Sequence, residues 1–132
     1  MANQNFEGAV VGWPKLLLRL EGAVLFAASI AVFALQGQQW WLYPALLLVP
    51  DVFMLGYLRN TRLGAITYNL GHSYPAAALV TVIGLVSAAP FTVAIGAIWF
   101  GHIGWDRMLG YGLKYATSFK HTHLGDLEKK SR

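Results

Sequence analysis

The chain alternates long apolar runs with short polar breaks. No Asp, Glu, Lys or Arg lies between Gly22 and Pro50, and none between Leu63 and Trp105. These runs are too long and too continuous for half-buried strands or for the single apolar stripe of a soluble helix. They predict four membrane-spanning helices, from Lys15 to Gln36, Trp40 to Leu58, Leu63 to Val86 and Phe91 to Leu113. Each span has about 20 residues, which at about 1.5 Å per residue crosses ~30 Å of hydrocarbon. Pro14 opens the first helix, where its missing N–H is an orphan in any case. Trp40, Trp41 and Tyr43 form an aromatic belt, and Pro44, Pro50 and Pro75 fall inside spans. The expected fold class is therefore an all-α membrane protein, a four-transmembrane-helix bundle filling residues 1–132 as one domain.

Composition agrees with this pattern. Of 132 residues, 56% are hydrophobic and only 12% charged, against about a quarter charged in an ordinary soluble domain. The net charge of +4 does not point to nucleic acid, because the basic residues sit at helix ends rather than along a solvated stripe. They orient the chain instead. Lys15 and Arg19, then Arg59 and Arg62, then Lys114, Lys120, Lys129, Lys130 and Arg132 alternate with two breaks that lack Lys and Arg. Cationic loops stay inside, so both termini are expected in the cytoplasm of a bacterium, with the chain in its inner membrane. The tail 114–132 reads as a basic interfacial segment on lipid headgroups, with Thr117 or Ser118 as caps. The N-terminal run contains Arg19 and Glu21 and reads as a retained helix rather than a signal peptide. Cysteine is absent, which removes thiol and disulfide chemistry. Met54-Leu55-Gly56-Tyr57 and Met108-Leu109-Gly110-Tyr111 echo one another, which suggests two repeated helical hairpins.

Ionisable residues recur at one depth. Measured from the flanking charges, Glu21, Asp51, His72, Asp106 and His102 lie about 9 to 18 Å inside the cytoplasmic boundary. Such groups are costly in lipid and usually face the bundle interior, where they pair. His102 and Asp106 are four apart on one helix face, and Tyr68, Asn69 and His72 form a polar stripe on another. Each residue also has a plainer reading. Glu21 could pair with Lys15 or Arg19, Asp106 with Arg107, and a lone histidine could serve packing. Trp99 and Trp105 read as packing and interface anchors. His121 and His123 in the tail could lie over the pocket mouth.

The same residues carry a resemblance. Pro50 to Tyr57, Tyr68 to His72, His102 to Arg107, Leu109 to Tyr115 and Thr122 to Gly125 resemble, in order, the segments of domain of unknown function family 4260, small bacterial integral membrane proteins. His121 departs from that pattern, which has an acidic residue there. The resemblance implies a membrane protein and singles out Asp51, His72, His102, Asp106 and His123, but implies no reaction.

Carboxylates and imidazoles in a low-dielectric layer suit acid–base chemistry. The expectation is a small membrane-embedded enzyme acting on a lipophilic small molecule. Its catalytic set is Asp51, His72, His102 and Asp106, with Glu21, Tyr68, Asn69 and His123 in support. His72, His102 and Asp106 could hold a divalent transition metal. Alternatives are a haem or pigment ligated by His72 and His102, a proton-coupled carrier, and a structural accessory subunit. Expected partners are the lipid bilayer and an oligomer or membrane complex.

Overall fold

The computed structural model describes residues 8–126 of the chain, and the expected basic residues Lys129, Lys130 and Arg132 lie outside them. It is almost entirely helical. Helix α1 (Gly12–Ala34) starts three residues earlier than expected and is followed by a turn in which Gly37 takes a positive φ of 66°. The expected second helix is broken into a short α2 (Leu42–Leu46) and a 3-10 helix, η1 (Val49–Leu58). The two prolines explain the break. Pro50 has no N–H to give the Leu46 carbonyl and its ring crowds that carbonyl, so the α-ladder stops there. The tighter pattern resumes as Asp51 N–H bonds to the Leu48 carbonyl, three residues back.

The expected third helix is likewise two, α3 (Thr61–Gly71) and α4 (Tyr74–Val86), separated at His72 and Ser73. Asn60 caps α3, its side chain accepting from Leu63 N–H at 2.7 Å. Pro75 ends the first helical ladder by depriving the Gly71 carbonyl of its partner four residues on. Helix α5 (Pro90–Leu109) begins on Pro90 and closes on Gly110, whose φ of 88° is the left-handed cap.

Helix α5 is the centre of the molecule, with α1 and α4 along it and η1 laid along α3. Small residues let these backbones close. A Cβ on Gly22 of α1 would come within 2.7 Å of the Gly104 carbonyl of α5, and the reverse holds at Gly104. On α3, Gly64 and Gly71 lie under the rings of Tyr57 and Phe53 of η1. A carbon core of Phe33, Tyr43, Ala94, Ala97 and Ile98 fills one part of the bundle. Outward faces are apolar too: Trp13, Val24 and Leu35 are more than two-thirds exposed.

Among the described residues, two helical stretches are long and apolar enough to cross a membrane, α1 and the run Thr61–Val86. The other two expected spans do not reach that standard. Leu42–Leu58 is shorter, and the last part of α5 carries His102, Asp106 and Arg107. The sequence echo has no structural counterpart either. Gly56 sits inside η1 against α3, whereas Gly110 is the left-handed cap of α5. After Gly110 the tail is not a capped interfacial helix. It turns back so that 113–115 lies beside 121–123, with β1 (His121–Thr122) paired antiparallel to β2 (Gly125–Asp126). Lys114, Thr122 and Leu124 become buried.

Candidate metal centre

Two broken elements and one intact helix build the site. Asp51 stands in the first turn of η1, His72 at the end of α3, and His102 and Asp106 on one face of α5. His72 Nε2 lies 3.2 Å from Asp51 Oδ1 and 3.4 Å from Asp106 Oδ2. His102 Nε2 lies 3.3 Å and 3.4 Å from the same two oxygens. The two Nε2 atoms are 2.9 Å apart. All four donor atoms fall within 4.8 Å of one another.

One histidine's tautomer follows from the geometry. His72 Nδ1 is 2.9 Å from the Tyr68 backbone carbonyl, which only accepts, so Nδ1 donates. In neutral imidazole the Nε2 lone pair then points at two carboxylates and at the other imidazole. That lone pair and the two carboxylate oxygens repel unless a proton, such as one on His102 Nε2, or a cation stands between them. Tetrahedral bonds of about 2.0–2.1 Å would give edges of ~3.3–3.4 Å, close to the spacing of 3.4 Å from each Nε2 to Asp106. The donor set, two imidazoles and two carboxylates, suits a divalent transition ion. The Nδ1–H bond to Tyr68 is the outer-shell contact that such ligands usually make. His102 lacks one: its Nδ1 is buried with no partner. A haem fits poorly, because ligands on its two faces would be about 4 Å apart with the macrocycle between them, not 2.9 Å and flanked by carboxylates.

The break that places His72 is held from α5. Trp99 Nε1–H takes the Gly71 carbonyl at 2.6 Å, and Arg107 Nη2–H takes the His72 carbonyl at 2.9 Å. Arg107 also reaches the Tyr111 carbonyl at 3.4 Å and is itself buried. Thus the two carbonyls freed at the break are caught by side chains that bracket His102 and Asp106. Tyr68 stacks on the His72 ring with centroids 3.8 Å apart, and Lys114 Nζ lies over the Tyr68 ring, 4.9 Å from its centroid. Asn69 clamps the tail, donating to the Lys114 carbonyl at 2.8 Å and accepting from Lys114 N–H at 2.6 Å.

The sequence-derived set is therefore divided. Asp51, His72, His102 and Asp106 converge; Tyr68 and Asn69 buttress them. Glu21 does not join them. It is exposed beside Leu17, Leu20 and Val24, because its neighbour Gly22 is the residue turned toward α5. His123 belongs to the tail, where Nδ1 accepts from Leu113 N–H at 2.8 Å. Burial and the nearby Arg107 charge lower its pKa to about 4. His121 bonds Thr117 Oγ1 through Nδ1 at 2.8 Å. Trp99, expected to be a packing or interface anchor, and Arg107, expected to pair with Asp106, instead hold the break beside the cluster. The signal for Trp99 is Pro75, which obliges some donor to meet the Gly71 carbonyl.

With this geometry in view, the comparison with known families is informative. The profile described as Domain of unknown function (DUF4260) matches residues 15–127. The chain belongs to the DUF4260 family. The DUF4260 match takes in all four cluster residues and both buttresses. No curated protein and no solved structure matches the chain.

Proposed function

We propose that this DUF4260 protein is a membrane-embedded enzyme with a single divalent transition-metal centre, acting on a lipophilic small molecule. The observation that carries the reading is the His72 Nε2 lone pair, fixed by the Tyr68 carbonyl and aimed at two carboxylates and a second imidazole. His72, His102 and Asp106 are the ligands, with side chains 1%, 1% and 13% exposed. Asp51, at 34%, is the open edge. Three protein ligands with one open position is the catalytic rather than the structural pattern. The ion supplies Lewis acidity; Asp51 accepts a proton from substrate or attacking water and returns it to the leaving group.

The bilayer supports this reading from the outside. Large apolar side chains cover the outward faces, which a water-soluble surface of this size rarely shows. The broken second element still reaches across: a 3-10 helix rises about 2.0 Å per residue, so η1 alone covers ~20 Å. In this arrangement all four helical passes cross, with the Arg59–Arg62 turn and both ends in the cytoplasm. Reporter fusions at Gln38 and Ala88 should then report the outer face, and a cytoplasmic signal at either overturns the topology.

The test of the centre is elemental analysis of the full chain purified in detergent. About one equivalent of a first-row transition metal is expected in the wild type and a small fraction of it in His72→Ala. Equal metal in both proteins contradicts the assignment.

A further inference from the structure

An apolar cavity of about 180 Å³ lies between the second element and α5. Val49, Pro50 and Phe53 form one wall and Ile95, Ile98 and Trp99 the other. Both walls run on to the cluster along the chain: Pro50 precedes Asp51, and Trp99 stands one helical turn before His102. The Trp99 indole N–H is already spent on the Gly71 carbonyl, so the ring presents carbon to the cavity. Phe53 stacks on that ring with centroids 6.0 Å apart, which fixes the shape of this end. Nothing on the walls can satisfy a polar group, so the occupant of this space is hydrocarbon.

The polar end of the occupant is fixed by the other neighbour. Asp51 is the accessible member of the cluster, and it follows directly on the cavity wall. Resting on the metal-centre reading, we infer that the cavity is the slot for the hydrocarbon chain of an amphiphilic substrate whose reacting polar group lies at Asp51. A dry apolar cavity of about 150 Å³ takes in a benzene ring, so this one accommodates a segment of about six to eight carbons. The slot selects by shape rather than by hydrophobicity, because a chain leaving lipid for an apolar wall gains little from the transfer itself. Substrates of this class are single-chain amphiphiles, with a metal-coordinating oxygen at the head.

Two probes of one head chemistry test this, acetohydroxamate and octanohydroxamate, titrated into Co²⁺-loaded full-length protein in micelles. The visible cobalt spectrum reports head-group binding. Ile95→Trp and Val49→Trp fill the slot from opposite walls without touching a ligand. The octano-to-aceto affinity ratio is expected to fall about tenfold in either variant, with acetohydroxamate binding unchanged. Micelle partitioning is common to all three proteins and cancels. An unchanged ratio with intact cobalt spectra overturns the slot and leaves the metal centre standing. Photo-cross-linking of the wild type with a diazirine-tipped fatty acid needs no metal, so it decides the matter if cobalt fails to bind or the variants fail to fold. Adducts concentrated on Phe53, Ile95 and Trp99 uphold the slot even where the metal reading falls. Adducts spread evenly over the outward faces of α1 and α4 overturn it.

Discussion

Two polar groupings lie inside this bundle, and they are built on opposite principles. Near the carbon core, Ser29 and Tyr43 share a buried hydrogen bond of 2.5 Å, and Ser29 Oγ also gives to the Phe26 carbonyl at 2.7 Å. Every group there has a partner of the opposite kind, with Ser29 in the unbroken α1 and Tyr43 in the short α2. At the cluster, two carboxylate oxygens and two imidazole nitrogens meet, and two of the three elements that supply them are interrupted at a proline. A satisfied donor–acceptor pair serves packing. Convergent carboxylates and imidazoles on interrupted helices are the arrangement at which we propose that an ion binds.

The sharpest way to break this contrast is to exchange the costs. Gly104→Leu, at the α1–α5 crossing, forces backbone apart on both sides and should cost more than about 3 kcal/mol, leaving little folded protein in a thermal melt. His72→Leu should leave the melting temperature within a few degrees of wild type, or raise it, while lowering the affinity for Co²⁺ by more than ~100-fold in a spectroscopic titration. A His72→Leu protein that unfolds readily would place the cluster with Ser29 and Tyr43, as packing.

Smaller effects resolve the parts of the cluster. Arg107→Lys keeps the charge but loses the fork that reaches both the His72 and Tyr111 carbonyls, so metal affinity should fall about 10- to 100-fold with no change of donor set. Asp51→Asn should retain the ion within about tenfold of wild type, since His72, His102 and Asp106 remain, whereas His102→Gln should lose it. Equal losses in these two variants would make Asp51 a full ligand rather than the open edge.

The smallest effect is in the tail. His123 has its folded pKa lowered to about 4, from 6.5 in the unfolded chain. Below 6.5 the unfolded state binds the extra proton, so this contribution is complete above pH 6.5 and is lost as pH falls toward 4. The protection factor of the Leu113 amide against hydrogen exchange should fall over that window, and His123→Gln should flatten the dependence.

The sequence made the cluster legible because lipid leaves few reasons for charge. Asp51, His72, His102 and Asp106 stood out against long apolar runs, and their spacing from the flanking basic residues put them at one depth. Periodicity also located the helical stretches. It could not show where they break, because Pro44, Pro50 and Pro75 are tolerated inside continuous membrane helices when neighbours take up the freed carbonyls. Here the neighbours are Trp99 and Arg107, on a helix distant in sequence, and their rotamers are a tertiary matter. Glu21 shows the converse limit. Depth placed it with the others, but facing is decided by the Gly22–Gly104 crossing, which turns it outward.

We propose that His72, His102 and Asp106 together hold one transition ion. X-ray absorption at the metal edge of the purified full-length protein tests it most directly. The account predicts a first shell of nitrogen and oxygen only, at about 2.0–2.2 Å, with the multiple scattering of two imidazoles. His102→Gln should lose this spectrum. A shell of oxygen alone, or no edge above background in protein grown with added metals, would contradict it.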